Sequence, residues 1–178
     1  MSNIKVIKKS DMLKRVALWS DLKPNSQMFV DTRLPEHERD LYSVIGPGVS
    51  EDKETRPAIT DAQDFNLAYI GAEPGKGAAL HSHPTVEVFV PLTGKWSIYW
   101  NEGDEQEEVI ISQMDCVSVP PGVLRGFRNV GEEHAFLMGI VGGSDSGHVD
   151  WAKSVIDRAR ETGLQLDENG YIIEDGDR

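Results

Sequence analysis

The chain has 178 residues and a formal net charge of −12, long enough for one domain to bury a core without disulfides or a structural metal. That negative charge disfavours attraction to nucleic acid or to an anionic membrane surface, so neither partner is expected. No run approaches the roughly 20 apolar residues of a membrane-spanning helix, charges interrupt the N-terminal stretch before any signal-peptide length is reached, and the single cysteine, Cys116, has no internal partner; a soluble protein of the reducing cytoplasm is expected.

Residues 1–60 read as an N-terminal arm with short strands, in which Ser26–Val30 and Leu41–Ile45 are the apolar runs between Pro/Gly punctuation. Residues 61–145 read as a β-barrel. Their β-favouring runs are Phe65–Ala72, Val86–Leu92, Lys95–Trp100, Glu108–Ile111, Cys116–Val119, Leu124–Arg128 and Ala135–Val141, with Gly-bearing or acidic connections between them. Residues 146–178 read as a C-terminal helix and tail packed on the barrel. Over Asp150–Thr162 the side chains of Trp151, Val155, Ile156 and Ala159 share one helical face, with Asp150 as N-cap and Gly163 as stop.

The stretch from Gly75 to Gly94 carries the chemistry. In a strand, His81 and His83 project from the same face, so two imidazole nitrogens can converge on a point about 2 Å from each. Pro84 has no N–H and ends the strand. The following run can then bring Glu87 to the same point. Two imidazoles and a carboxylate suit one divalent transition metal with open positions, whether iron, manganese, nickel or zinc.

This stretch resembles the first signature of the cupin superfamily, with Gly75, His81, His83, Glu87 and Gly94 at its fixed positions. The second signature is similar to Met114 through Asn129, where Pro120, Gly122 and Asn129 match. Two positions depart: Met114 stands where a glycine is usual, and Arg125 where the family has its last metal-binding histidine. The resemblance implies an all-β, cupin-type double-stranded β-helix, a jelly-roll barrel flanked by the arm and the amphipathic helix. It leaves the chemistry open, because cupins include dioxygenases, decarboxylases, isomerases, epimerases, lyases, storage proteins and sensory domains.

Arg125 has no lone pair to give a metal, so the ligand set reads as His81, His83 and Glu87. Two readings follow from it. In one, the three residues hold the metal, Glu87 and Arg125 are the catalytic candidates, and Arg125 anchors an anionic substrate by bidentate hydrogen bonds. In the other, Arg125 pairs with Glu87 and the pocket holds no metal, since a buried carboxylate needs one cation or the other. Tyr99 and Phe127 are further candidates for the pocket wall, although Tyr99 reads first as core packing.

His134 reads as a turn residue, His37 and His148 as surface residues, and Cys116 as a small buried hydrophobe. The enzyme expected is a mononuclear metal cupin acting on a small, anionic organic compound, dioxygenase-type first and isomerase or lyase next. The alternative is a non-catalytic cupin that binds a small ligand. A homodimer is expected, with the arm around Trp19, Met28 and Phe29 as its exchanged strand.

Overall fold

Alternation along the chain sets the strands. In Ala135–Gly142 the residues Ala135, Leu137, Gly139 and Val141 turn inward and are buried, while the residues between them are only half-buried, as a pleated strand on one face of a core requires. The computed structural model describes residues 4–144 and 146–174. Its strands are β1 (Asp40–Ile45), β2 (Phe65–Ala72), β3 (Gly77–Ser82), β4 (Glu87–Pro91), β5 (Lys95–Trp100), β6 (Glu107–Ser112), β7 (Val117–Val119), β8 (Arg125–Asn129), β9 (Ala135–Gly142) and β10 (Asp150–Trp151). They form two antiparallel sheets, ordered β1-β2-β9-β4-β7 and β10-β3-β8-β5-β6. Between them lies a core of Phe89, Trp96, Ile98, Phe127 and Leu137, each at most 4% exposed, in which Phe127 meets the rings of Phe89 and Trp96 at 5.3 and 6.0 Å.

The motif positions outside the ligands serve this frame. Gly94 sits at φ +70, and a Cβ there would lie 2.5 Å from that of Ala135. Asn129 is fully buried; its amide donates to the carbonyls of Ala72 and Glu133 and accepts from the Gly131 N–H. Both residues close turns at one end of the barrel.

The arm departs from its expected form. Leu41–Ile45 lies within β1, but Ser26–Val30 is no strand: Asn25 makes a single bridge to Leu41, and a 3-10 turn begins at Val30. Met28 and Phe29, expected on a strand exchanged between subunits, fill this chain's own core at 4% and 8% exposure. Trp19 packs on Tyr42 and Phe136 on the outside of the first sheet, at 4.8 and 5.1 Å. A buried ion pair clamps the arm to β3. Arg39 donates to both Asp31 oxygens at 2.9 and 3.0 Å, and the Ala79 N–H donates to the same carboxylate at 3.0 Å.

The C-terminal region is also corrected. The helix, Lys153–Glu161, starts two residues later than expected, and its N-cap Ala152 makes no side-chain cap. Asp150 and Trp151 are drawn off as β10, paired with Ser82 and His81 of β3. Gly163 does stop the helix, at φ +84. An unforeseen hairpin, β11 (Leu164–Leu166) with β12 (Ile172–Glu174), follows. Among the described residues no helix is long and apolar enough to cross a membrane. Two side chains reverse their expected burial: Cys116 precedes β7 and is exposed, whereas His37 is only 8% exposed.

Candidate metal centre

The two sheets meet at the candidate ligands. His81 is the penultimate residue of β3, His83 lies one residue beyond that strand, and Glu87 opens β4 in the opposite sheet. The Pro120–Gly122 turn pins the loop between them, with the Gly122 N–H donating to the His83 carbonyl at 2.8 Å. His81, His83 and Glu87 are all buried, and one ligating atom from each lies within 4.8 Å of the others. The imidazole Nε2 atoms of His83 and His81 stand 3.7 and 4.0 Å from Glu87 Oε2.

The protonation states suit a metal. His81 Nδ1 lies 2.7 Å from the Ala79 carbonyl; a carbonyl only accepts, so Nδ1 carries the hydrogen and Nε2 keeps its lone pair toward the centre. Burial, then the charge of Arg125, holds His81 well below the usual histidine range. The same causes bring His83 down to about 3. Both rings are therefore neutral near pH 7, the form that ligates. Burial pushes the Glu87 carboxyl up, and Arg125 opposes it.

Arg125 enters from β8, paired in register with His81, and is 1% exposed. Its Nε and Nη2 both donate to Glu87 Oε2, at 2.8 and 2.5 Å. Nη1 faces the carbonyls of His81 and Val123 at 3.3 and 3.4 Å. The guanidinium is thus spent on the protein rather than open to a substrate carboxylate, and Arg125 does not line the adjoining cavity. That cavity, of about 70 Å³, is walled by Met28, Phe29, Leu41, Ile70, Phe127 and Trp151, with His81, His83 and Glu87 on its polar side.

Phe127 therefore sits where the pocket reading places it, and Tyr99 does not. Tyr99 lies on the other face of β5 from Ile98, donates its hydroxyl to the Ala78 carbonyl at 2.6 Å, and is pushed up to about 12 by burial. His134 packs on Phe136 at 4.9 Å, and neither it, His37 nor His148 joins the cluster. Sequence reasoning missed three residues. Trp151 lies 5.3 Å from the His81 ring. Its Nε1 donates to Glu51 at 2.6 Å, a carboxyl buried at 3% exposure. Arg39, already paired to Asp31, also lines the cavity.

Residues 68–141 match the family model described as Cupin domain, and the two antiparallel sheets have the arrangement of its double-stranded β-helix: the chain carries a cupin domain. Among solved structures it is similar to oxalate oxidase, at 14% identity and TM-score 0.51 over 67% of this chain and 57% of that one. It is also similar to the oxalate decarboxylase of Lactobacillus farciminis, at 16% and 0.55 over 78% of this chain and 36% of that one. A cupin 2 domain-containing protein from Halorhodospira halophila matches at 19% and 0.52, over 69% of this chain and 77% of that one. The chain thus spans 57% and 36% of the two oxalate enzymes, and identities this low speak to the fold alone. No curated protein matches the sequence.

Proposed function

We propose that the protein is a cupin enzyme that holds one divalent transition metal on His81, His83 and Glu87 and converts a small organic compound. Dioxygenase-type chemistry is the leading form, with isomerase or lyase chemistry next. The observation that carries this reading is the buried cluster itself, three ligating atoms within 4.8 Å with the His81 tautomer fixed by Ala79. When bound, the metal supplies a Lewis-acid centre with open positions. The chain's own residues do the rest. His81 and His83 stay neutral as donors, Arg125 holds the Glu87 oxygen that it must share with the metal, and the apolar wall excludes water and limits size.

The cavity narrows the substrate. About 70 Å³ is roughly half of the ~150 Å³ engineered cavity that takes up benzene, so the part of the substrate held there has a handful of heavy atoms. Among the described residues, the cations nearest the centre, Arg39 and Arg125, are already paired with Asp31 and Glu87. An unpaired anion would be costly against such walls. We therefore favour a compact compound with an apolar body over the anionic one expected from Arg125, and carry no oxalate chemistry over from the similar structures.

One observation supports a second reading. Arg125 places two N–H groups on Glu87 Oε2, the oxygen nearest both imidazoles, so its charge can stand in for a metal in a non-catalytic small-ligand pocket. Elemental analysis of protein purified without chelator, beside Glu87→Ala, separates the two. Near-stoichiometric metal that is lost in the variant supports the enzyme and directs substrate assays, oxygen uptake first. No metal even after reconstitution overturns it in favour of the Arg125–Glu87 pocket.

A further inference from the structure

β1 is the outer strand of its sheet, with β2 on one side. Its other edge is covered in two places. Leu41 exchanges backbone hydrogen bonds with Asn25 at 2.8 and 3.1 Å, and the Ser43 carbonyl accepts from the Ala58 N–H at 3.1 Å. Between these contacts lies a groove of about 290 Å³, bounded by Asp21 and Lys23 of the arm and by Glu54, Arg56 and Ala58 of the segment that follows β1. Met28, Leu41 and Ser43 line this groove and also line the inner cavity, so these three side chains stand between the two spaces.

Ser43 is the polar member of that shared wall. It lies two residues beyond Leu41, on the same face of β1, and so turns toward the core. The residue is half-buried, and among the described residues its hydroxyl has no hydrogen-bond partner. A polar group in an apolar wall costs free energy until something bonds to it, which makes this hydroxyl a contact open to a guest molecule. Met28 beside it is unbranched, with a soft side chain that adapts to what packs against it.

We propose that the groove is a second subsite for the same ligand, reached past Ser43, and that the ligand is longer than the inner cavity: an apolar head beside His81, His83 and Glu87, and an uncharged polar tail in the groove. The inference rests on the ligand pocket proposed above and extends its compact body by that tail. The cavity of about 70 Å³ holds about three or four heavy atoms on the scale of the ~150 Å³ cavity that takes benzene, whereas the groove has room for several more. An uncharged tail fits because the groove's charges cancel, Asp21 and Glu54 against Lys23 and Arg56, with Arg56 Nη2 already 3.3 Å from Glu54.

The test is the affinity of the protein as purified for straight-chain alcohols from n-propanol to n-octanol, by ligand-observed NMR, beside Ala58→Trp and Arg56→Trp. These variants fill the groove from residues that do not line the cavity, and their melting curves confirm the fold. In wild type, affinity should keep rising beyond n-butanol by about fourfold per methylene, or about 16-fold from n-butanol to n-hexanol. In each variant that rise should vanish while n-propanol binds as before. A wild-type series that levels off at n-butanol overturns the proposal and leaves the inner pocket standing, because the cavity is then closed on this side. A rise indifferent to both variants also overturns it, since the longer chains leave the cavity by another route. Failure of every alcohol to bind, short or long, overturns the inner ligand pocket along with the groove.

Discussion

Replacing Glu51 with Gln should change how stability depends on pH. The Glu51 carboxylate accepts from the Val30 N–H at 2.7 Å and from Trp151 Nε1 at 2.6 Å. Burial is the largest influence on it, and with Asp31 nearby it outweighs those two hydrogen bonds and Arg39, pushing the group from 4.5 up to about 7. The folded state therefore holds this proton more tightly than the unfolded state does. The stability it contributes is complete below about pH 4.5 and drains away as pH rises to about 7. Over that span the loss is about 3 kcal/mol, or roughly 6–12 °C in melting temperature for a chain of this size. Thermal unfolding of both proteins in chelator, from about pH 5 to about pH 8, should show the gap between wild type and Glu51→Gln shifting against wild type by that amount. The histidines and Glu87 titrate in both proteins and cancel in the difference. A gap constant with pH would refute the reasoning, and with it the idea that Trp151 is held over His81 by a carboxyl on the edge of ionisation.

Arg125→Met should cost about 3–5 kcal/mol in chelator, because Glu87 is left buried without a cation. Added divalent metal should raise its melting temperature more than that of wild type, as the competing charge is gone; equal rises would count against competition for Glu87. Met114 occupies a left-handed conformation at φ +73 while 82% exposed, at a cost of about 1–2 kcal/mol. Met114→Gly removes that strain but loosens the unfolded chain by about 0.4–1 kcal/mol, so a net gain of about 0.5–1 kcal/mol is expected. An unchanged or lower urea midpoint would show that the turn carries no strain.

Local signals carried much of the barrel and of the His81, His83 and Glu87 cluster, because both depend on spacing. Alternation is visible in β9, and the interval from His81 to Glu87 fits one strand end, one proline turn and the next strand. What stayed hidden depends on contacts distant in sequence. Trp151 falls on the same helical face as Val155, so periodicity assigned it to the helix; pairing with His81 in β3 overrode that local pattern. Asp31 and Arg39 sit in a polar stretch where nothing separates a buried clamp from surface charge. Tyr99 could not be placed because both faces of β5 are buried, which removes the polarity contrast that tells one face from the other. The departure at Met114 hides no new function: the position keeps the positive φ that a glycine would adopt freely.

The two-residue strand β10 has a bearing on how the molecule is made. Its partners, Ser82 and His81, are synthesised long before Asp150 and Trp151, and the ladder of β2 with β9 joins residues 65–72 to 135–142. Such distant pairings place the chain among slow folders, whose closure waits on loop entropy. On a ribosome, the histidines and Glu87 emerge well before the tryptophan that covers His81, so the order of synthesis leaves the centre open until the C-terminal segment arrives.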